Sequence, residues 1–331
     1  MLYVMINGNA LSTHFNPPTV DDVQQIANSF LRQGELNIQR IPIGLCHYVF
    51  NVQGEQQRFV IRICHPDNTS HLNGNLFWST QLQKLSLPIP QIFKLSIEEQ
   101  KYSFMILEYI DGVDLGELVD QMSRDQKAEV VDQLIEFQRN ADTLPEASGF
   151  GWGFHYNCPQ LITSWNQIIE NSLERARSWI QTVGQVDPTY VEEVRQLQDE
   201  FKGYFSTIQP RAFFHDLTTK NLLISKSDYS VMGFVDLDQM AFGDPLFHIS
   251  LMNMALLANN ESNDLVAIWL DQLSATETQK IMVNFYTLIH CVSFMGENGM
   301  SFNKEGFFSQ ENHQELDQIF QQLLSELKGI F

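Results

Sequence analysis

Alternating and clustered apolar positions in the first third of the chain predict a small sheet flanked by helices. Thr19, with Asp22 three residues later, forms a capping pattern that begins an amphipathic helix over residues 19–33. Short runs rich in β-branched and aromatic residues follow, separated by Gly44 and by a turn at Gly54. The predicted strands are 36–43, 48–52, 58–64, 91–96 and 102–109, with a second helix over residues 72–85.

Helical periodicity dominates after Asp111-Gly112, a dipeptide typical of turns. The predicted helices are 115–122, 126–142, 161–180, 190–205, 265–273, 276–294 and 314–327, with a further apolar helix beginning at residue 246. One interruption lies between Ala212 and Asp238, where short apolar runs alternate with polar loops. We therefore predict an α+β fold with a five-stranded antiparallel lobe over residues 1–109 and a larger, mostly helical lobe over residues 110–331.

Composition excludes several classes of protein. The 331 residues are 44% hydrophobic and 11% aromatic, which is too apolar for a disordered chain. Lys+Arg number 20 and Asp+Glu 40, and the net charge of −20 argues against nucleic acid or anionic lipid as a partner. The four cysteines are far apart and form no CxxC pair, which favours a reducing, cytoplasmic location. No apolar run reaches the ~18 residues that cross a bilayer, and residues 1–11 lack the basic segment of a signal peptide.

A polar cluster between residues 215 and 245 carries the candidate chemistry. Asp216 and Asn221 form an Asp-x4-Asn pattern, and Asp236 follows after a short apolar run. Phosphoryl transfer needs one carboxylate to accept the proton of the attacking hydroxyl, and an amide and a second carboxylate to hold Mg²⁺ against the phosphates. A hairpin brings such groups together. This order of residues therefore predicts a phosphotransferase site.

This stretch resembles the aminoglycoside phosphotransferase and choline kinase branch of the protein-kinase-like fold. The family pattern is His-x-Asp-x4-Asn, then Ile-Asp and an aromatic residue, then Gly-Asp-Pro eight residues beyond the metal-binding Asp. Asp236 lies eight residues before Asp244, so the spacing favours Asp236 over Asp238 as that ligand. The resemblance implies a bilobal kinase-like fold, ATP as donor, Asp216 as catalytic base, and Asn221 and Asp236 as ligands of Mg²⁺.

The resemblance also implies nucleotide contacts in the small lobe. Residues 44–50 occupy the position of the family's phosphate-covering hairpin. Val60 and Arg62 point to the same side of one strand, so that Val60 would line the adenine while Arg62 pairs with phosphate. Backbone groups of the segment between the lobes hold the adenine edge in the family. The implied contacts are Val49, Val60, Arg62, Glu108 and Ile110.

Three departures from the family pattern bear on activity. Phe214 stands where the family has His, and His215 fills the variable position, where we expect a structural role. The second helix normally supplies a Glu that pairs with the strand cation, but residues 57–96 contain no Glu, and Asn75 or Trp78 stands at the expected place. Arg62 is therefore expected to lack an acidic partner and to be held by phosphate alone, or the activity is slow or lost. Lys220 either assists the phosphoryl group or is a solvated loop lysine.

The acceptor is expected to be a small molecule. Only residues 237–243 separate Asp236 from Asp244, which leaves no room for the ~20-residue segment on which protein kinases hold a peptide. Residues 145–209 form a helical insertion of the kind that builds the acceptor pocket in the family. Trp152 and Asp114 are among its candidate lining residues. An amine-bearing acceptor is expected if the acidic side chains cluster around this insertion, whereas an even spread of acids would serve only solubility. The alternatives are a catalytically silent nucleotide-binding scaffold and, less favoured, a protein kinase; the sequence does not indicate an oligomeric state.

Overall fold

The computed structural model describes residues 16–31, 35–42, 47–65, 68–97, 101–259, 264–301 and 306–330. The small lobe holds five strands: β1 (Asn37–Ile41), β2 (His47–Gln53), β3 (Arg58–Cys64), β4 (Ile92–Ser96) and β5 (Ser103–Glu108). They form one antiparallel sheet in the order β1-β2-β3-β5-β4. The predicted α+β class and five-stranded sheet are confirmed, whereas the boundary near residue 109 stays a prediction.

Strand β3 shows how the sheet separates a core from a cleft. Its residues Phe59, Ile61 and Ile63 are buried against the first helix, α1 (Val20–Phe30). Full burial of each such side chain stabilises the fold by about 1.5–3 kcal/mol. The alternate positions, from Val60 to Cys64, face the other way, toward the second helix, α2 (Thr69–Gln83). Arg62 therefore points away from the apolar core and toward the cleft.

The capping pattern at the start of α1 is confirmed. Asp22 donates its amide to Thr19 Oγ1 at 3.2 Å, and Thr19 donates its amide to Asp22 Oδ2 at 2.9 Å. These reciprocal bonds satisfy two backbone donors that a helix start leaves without a partner. The helix consequently begins where the sequence predicts, although it ends earlier, at Phe30.

The large lobe is built mainly of helices. They are α3 (Leu115–Leu118), α4 (Arg124–Ala141), α5 (Trp165–Val183), α6 (Thr189–Gln198), α7 (Lys202–Phe205), α8 (Leu246–Ala258), α9 (Asp264–Gln272), α10 (Glu277–Glu297) and α11 (Gln310–Lys328). Helix α8 is buried on nearly all sides, which explains why its sequence is apolar without a polar face. The predicted helices over residues 115–122 and 190–205 are each interrupted by a tighter 3₁₀ turn, at Val119–Gln121 and Asp199–Phe201.

Two small sheets hold the loops of the candidate site. Their strands are β6 (Val113–Asp114), β7 (Gly151–Gly153), β8 (Arg211–Phe213), β9 (Leu222–Ile224), β10 (Val231–Phe234) and β11 (Met240–Gly243). One sheet has the order β10-β9-β6 and the other β7-β11-β8. The sequence predicts only a loop at β7 and no strand at β11, because strands of three or four residues are too short to show alternation.

The described cysteines and helices agree with the expectations from composition. Cys64, Cys158 and Cys291 are buried thiols without a disulfide, and Cys46 lies outside the described residues. Burial raises the pKa of the Cys64 thiol to about 12, so this cysteine is an unreactive packing residue. Across the parts of the chain that the structure describes, no helix combines the length and apolar character that crossing a membrane requires.

Candidate active site

A cavity of about 330 Å³ lies between the sheet of the small lobe and the loops of the large lobe. Its walls are of two kinds, apolar where the sheet covers it and charged where the loops after β8 and β10 enter it. The cavity brings together the residues implied as base, magnesium ligands and nucleotide contacts: Val49, Val60, Arg62, Glu108, Ile110, Asp216, Asn221 and Asp236. Their roles remain predictions.

The apolar part is a flat slot with one wall from each lobe. Val49 and Val60 on neighbouring strands form the upper wall together with Leu107. Leu223 on β9 and Val235 after β10 form the lower wall. Two apolar layers that face each other suit a planar aromatic group, which gains hydrophobic burial on both faces.

The connection between the lobes closes one end of this slot. The amide of Glu108 donates to the Gln91 carbonyl at 2.8 Å, so only the Glu108 carbonyl is left for a ligand. Its carboxylate accepts the Gln91 amide at 3.0 Å, which fixes β4 beside β5. Ile110 packs against Gly233, where an added Cβ would lie 2.4 Å from Ile110 Cδ1. Glycine at this position therefore lets the connection lie close to the large lobe.

The loop after β8 is folded on itself around Asp216. Asn221 donates its Nδ2 to the Asp216 carbonyl at 2.7 Å and to Asp216 Oδ2 at 3.0 Å. The amide of Thr218 also donates to the Asp216 carbonyl, at 3.0 Å. These bonds fix the direction of the Asp216 side chain into the cavity. Desolvation raises the pKa of Asp216, and the negative charge of Asp236 raises it further.

The loop after β10 carries Asp236 in a strained backbone conformation. Its φ of 68° lies in the left-handed region, which costs a non-glycine residue about 1 kcal/mol or more. The preceding Val235 donates its amide to the Asn221 carbonyl at 3.0 Å, so the two loops are held side by side. The Asp236 side chain is 38% exposed and faces the cavity. The strained residue thus presents its carboxylate to the cavity.

The sequence predicts that Arg62 lacks an acidic partner, and this prediction is wrong. Arg62 pairs with two carboxylates of the large lobe. Its Nη2 lies 2.6 Å from Asp236 Oδ1, and its Nη1 lies 3.0 Å from Asp238 Oδ1. Burial opposes the charge of Arg62, but these two carboxylates outweigh it and raise the pKa of the guanidinium. Acidic partners 174 and 176 positions away in the sequence replace the expected helix carboxylate.

Asp238 is a site residue that the sequence analysis missed. Besides Arg62, it accepts a hydrogen bond from Asn75 of α2 at 3.0 Å, and its Oδ2 lies 2.6 Å from Nε2 of His47 and 3.4 Å from Nδ1 of His71. Burial alone would raise its pKa, yet the charge of Arg62 and the His47 contact hold the pKa of Asp238 well below its usual range. The sequence holds one indirect signal: α2 offers no acid to pair with Arg62 of β3, so the partner has to come from another part of the chain.

Asp244, between β11 and α8, holds the end of this segment against the large lobe. Its Oδ2 accepts hydrogen bonds from Tyr204 at 2.9 Å and Tyr286 at 3.0 Å, and its Oδ1 accepts the Leu246 amide at 3.0 Å. Tyr286 in turn accepts a hydrogen bond from Trp165 Nε1 at 2.8 Å. Asp244 is therefore a structural residue at the start of α8.

Charged and aromatic side chains continue beyond Asp216 into the helical lobe. Arg175 of α5 lies over the ring of Trp152, 5.9 Å from its centroid, and over Trp179, at 5.4 Å. Glu297, the last residue of α10, interacts electrostatically with both Asp216 and Arg175. Desolvation raises the pKa of Glu297 to about 7, the charge of Asp216 adds to this, and Arg175 opposes it. Apart from Asp216, these residues are not part of the cavity lining, and Glu297 is linked to it through its electrostatic interaction with Asp216.

The remaining predictions fall into three groups. Gly44, Leu45 and Cys46 of the predicted phosphate-covering hairpin lie outside the described residues. Phe214 is fully buried and packs near Phe137, with ring centroids 6.2 Å apart. Lys220 is exposed and lines the cavity, whereas Asp114 lines it at the base of β6.

Comparisons with known proteins agree with the predicted family and fold. The model of the phosphotransferase enzyme family matches residues 37–279, which is more than half of the chain. No curated protein matches the sequence. The agreement thus rests on the family model and on solved structures.

Three solved structures share the fold at low sequence identity. The GDP complex of aminoglycoside 2'-phosphotransferase-IIIa has a TM-score of 0.67 and 14% identity, over 92% of this chain and 98% of that one. ADP-bound aminoglycoside phosphotransferase APH(2'')-Ib has a TM-score of 0.64 and 13% identity, over 93% and 99%. A thermostable mutant of APH(4)-Ia in ternary complex with ADP and hygromycin B has a TM-score of 0.64 and 15% identity, over 93% and 97%.

Proposed function

Because the chain belongs to the phosphotransferase enzyme family, we propose that it transfers the γ-phosphoryl group of ATP, with Mg²⁺, to a hydroxyl of a small molecule. One observation carries the proposal. The hydrogen bond from the Val235 amide to the Asn221 carbonyl, 3.0 Å long, joins the Asp216 loop to the Asp236 loop in one cavity. A base and two oxygen ligands are thereby held together beside an apolar slot. We also propose that the protein acts in the cytoplasm, as its separated cysteines suggest.

Asp216 is the base in this proposal. The acceptor hydroxyl gives its proton to the Asp216 carboxylate while its oxygen forms a bond to the γ-phosphorus, and the bond from that phosphorus to the bridging oxygen of ADP breaks. The raised pKa of Asp216, caused by desolvation and by Asp236, makes the carboxylate a better proton acceptor than an ordinary aspartate. Its bonds with Asn221 keep it oriented before the acceptor binds.

Asn221 and Asp236 fit a magnesium ion. Mg²⁺ prefers oxygen ligands and commonly takes only one or two from the protein. Asn221 uses its Nδ2 to hold Asp216, which turns its Oδ1 away from that carboxylate, and Asp236 faces the cavity beside it. When bound, the ion neutralises charge on the β- and γ-phosphates.

The nucleotide is held by the small lobe and the connection between the lobes. Val49 and Val60 cover the adenine from above, and the backbone of Glu108 and Ile110 binds its edge. Glu108 can contribute only its carbonyl, since Gln91 already accepts its amide. Arg62 lies next to Asp236 and supplies the cation for the phosphates. GDP and ADP in the similar structures support a nucleotide in this cavity.

The acceptor is a small molecule that bears an amine. Asp216 lines the cavity and interacts electrostatically with a second acid, Glu297, and Trp152 lies beside His215, which precedes Asp216. Two acids in a partly desolvated pocket favour a cation, and the net charge of −20 attracts one over longer distances. The ternary complex of APH(4)-Ia, in which hygromycin B is bound together with ADP, supports a pocket of this kind.

The rival function, a silent nucleotide-binding scaffold, is the weaker proposal. Its main support was the absence of an acidic partner for Arg62, and the pairs with Asp236 and Asp238 remove that support. Phe214 still departs from the family pattern, but its side chain is buried beside Phe137 and leaves Asp216 oriented by Asn221.

The test is ATP consumption with Mg²⁺ over a panel of amino-alcohols, sugars and aminoglycosides. We expect at least one amine-bearing acceptor to raise consumption, and D216A to lower that rate by about 10²–10⁴-fold. The matched control is D228A, since Asp228 is an exposed acid in the turn between β9 and β10. Equal rates for D216A and the parent protein would refute the assignment of the base. Nucleotide binding by thermal shift without turnover by any acceptor would favour the scaffold.

A further inference from the structure

Five buried side chains meet where the small lobe contacts the loop after β10. They are His47 of β2, Arg62 of β3, His71 and Asn75 of α2, and Asp238 of the large lobe, and we call them the Asp238 network. Each of the four small-lobe residues contacts the Asp238 carboxylate. A single large-lobe carboxylate thus connects two strands and one helix of the small lobe.

The two oxygens of Asp238 have different partners. Oδ1 accepts from Arg62 Nη1 and from Asn75 Nδ2, both at 3.0 Å. Oδ2 lies 3.1 Å from Arg62 Nη2, 2.6 Å from His47 Nε2 and 3.4 Å from His71 Nδ1. The guanidinium and the carboxylate therefore form a bidentate pair, a geometry that fixes the plane of the guanidinium as well as its position.

Helix α2 approaches the loop so closely that only glycine fits. A Cβ at Gly74 would lie 2.3 Å from the Asp238 carbonyl and 2.6 Å from Phe154 Cδ1. The backbone of Asp238 is consequently fixed against α2 on one side, while its carboxylate is fixed by Arg62 on the other. The position of Asp238 is determined by packing as well as by charge.

The ligand atoms of His47, His71 and Asp238 lie within 4.8 Å of one another, a spacing that a metal ion could use. Arg62 makes the cluster unsuitable for a cation, because its buried positive charge lies at hydrogen-bond distance from both oxygens of the only carboxylate in the set. The cluster is better described as an ion pair with supporting hydrogen bonds.

We propose that Asp238 is a positioning residue, which holds the Arg62 guanidinium so that its Nη2 faces the phosphates of the nucleotide. Asp238 then has the task that a helix carboxylate has in kinases with the Lys–Glu pair. Asp236 is less suited to this task, since it is 38% exposed and has a single contact to Arg62, whereas Asp238 is 11% exposed. The inference rests on the proposed function, because it assumes a nucleotide in the cavity.

The test compares the binding of ATP with the binding of adenosine, measured by calorimetry without an acceptor. D238N should weaken ATP by about tenfold, the value of one charge-assisted hydrogen bond, and adenosine by less than about twofold. In an R62M background, D238N should have little further effect on ATP, because the residue through which Asp238 acts is gone. N75A, which removes one supporting hydrogen bond and keeps the ion pair, should weaken ATP in the same sense but less.

The matched control is D264N. Asp264 Oδ1 pairs with the buried Lys127 amine at 2.6 Å, so this variant also breaks a pair with a buried cation, but between α4 and α9. D264N should leave the ratio of ATP to adenosine affinity unchanged. Two results would overturn the inference while the proposed function stands. D238N could weaken the binding of ATP and of adenosine equally, or D238N added to R62M could weaken ATP binding as much as D238N does alone. A parent protein that binds neither ATP nor ADP would instead refute the proposed function, and this inference with it.

Discussion

Nη2 of Arg62 lies 2.6 Å from Oδ1 of Asp236, so the guanidinium contacts an oxygen of the proposed metal ligand. A carboxylate oxygen that accepts a guanidinium hydrogen bond is a poorer ligand for a second cation. If Asp236 binds a divalent ion as proposed, Arg62 and that ion compete for it when no nucleotide is present. With nucleotide, the phosphates offer Arg62 another partner.

R62M should increase the affinity of the nucleotide-free protein for Mn²⁺. Because Asp236 is partly exposed, its pair with Arg62 is worth at most about 1 kcal/mol, which predicts an increase of about two- to fivefold. The same variant leaves Asp238 buried without its cation and should lower the free energy of unfolding by about 3–5 kcal/mol. Paramagnetic resonance of Mn²⁺ measures the first effect and urea denaturation the second. R177M, which breaks an exposed pair with Glu192, is the control, and an unchanged Mn²⁺ affinity in R62M would contradict the competition.

G74A should destabilise the fold, although alanine normally favours a helix. The new methyl group would overlap the Asp238 carbonyl and Phe154, and overpacking of this kind costs about 1–3 kcal/mol. G203A is the matched control, because Gly203 of α7 has no atom within 4 Å of an added Cβ. It should stabilise the protein by up to about 1 kcal/mol. Urea denaturation of both variants decides the point, and equal shifts would show that Gly74 is not confined.

Y286F should cost more stability than Y204F. Both hydroxyls donate to Asp244 Oδ2, but Tyr286 also accepts the hydrogen bond of Trp165 and is fully buried, whereas Tyr204 is half-buried. Loss of the Tyr286 hydroxyl leaves the buried Trp165 Nε1 without its acceptor, at a cost of about 1–3 kcal/mol, and also removes one of the two hydroxyl donors to Asp244 Oδ2. Loss of the Tyr204 hydroxyl removes only the other donor to that oxygen, which keeps Tyr286 as a partner. Thermal unfolding at one pH ranks the two. A larger loss in Y204F would contradict the proposed order.

Glu297 should make acceptor binding depend on pH. Desolvation raises its pKa from 4.5 to about 7, so its carboxylate forms as pH rises through neutrality. The KM for an amine-bearing acceptor should therefore fall between pH 6 and pH 8, and E297Q should raise KM and remove this dependence while the KM for ATP stays unchanged. E311Q, which alters an exposed acid of α11, is the control. An unchanged pH profile of KM in E297Q would exclude Glu297 from acceptor binding.

The same group should affect stability with the opposite sign. A folded-state pKa above the unfolded value means that the folded protein binds the proton more tightly between pH 4.5 and about 7. The free energy of unfolding should therefore decrease as pH rises through this range, and the decrease should be smaller in E297Q. Urea denaturation at pH 5 and pH 8 measures the difference. If both proteins lose equal stability, the proton on Glu297 is not bound more tightly in the folded state.

The proximity of Asp216 and Asn221 in the loop after β8 could be predicted because it is local in the sequence. Asp216 and Asn221 are five positions apart and hydrogen-bond directly, so their spacing in the sequence carries their geometry. The helix caps were accessible for the same reason, as Thr19 and Asp22 show. The five-stranded sheet followed from short β-branched runs and glycine turns, whose signal is also local.

The partners of Arg62 could not be predicted in this way. Asp238 is 176 positions away, and no periodicity or spacing links a strand of one lobe to a loop of the other. The family spacing selects Asp236 as the metal ligand and gives no role to Asp238, two residues later. Strands β7 and β11 were missed because each is short, and their pairing brings together residues 151–153 and 240–242 from distant parts of the chain.

The close contact between Gly74 and Asp238 has a consequence for how the cleft can open. The two lobes are joined by the chain at residues 109–112, and they are joined again, without a covalent bond, where α2 and β3 contact Asp238. A protein with two such attachments cannot open by bending at the first alone. One possibility is that the ion pair between Arg62 and Asp238 breaks when the cleft opens. The other is that the loop with Asp236 and Asp238 moves together with the sheet, so that the lobes rotate about an axis through residues 109–112 and the Asp238 contact. If the protein binds ATP and releases ADP as proposed, that rotation would govern the exchange of the two nucleotides.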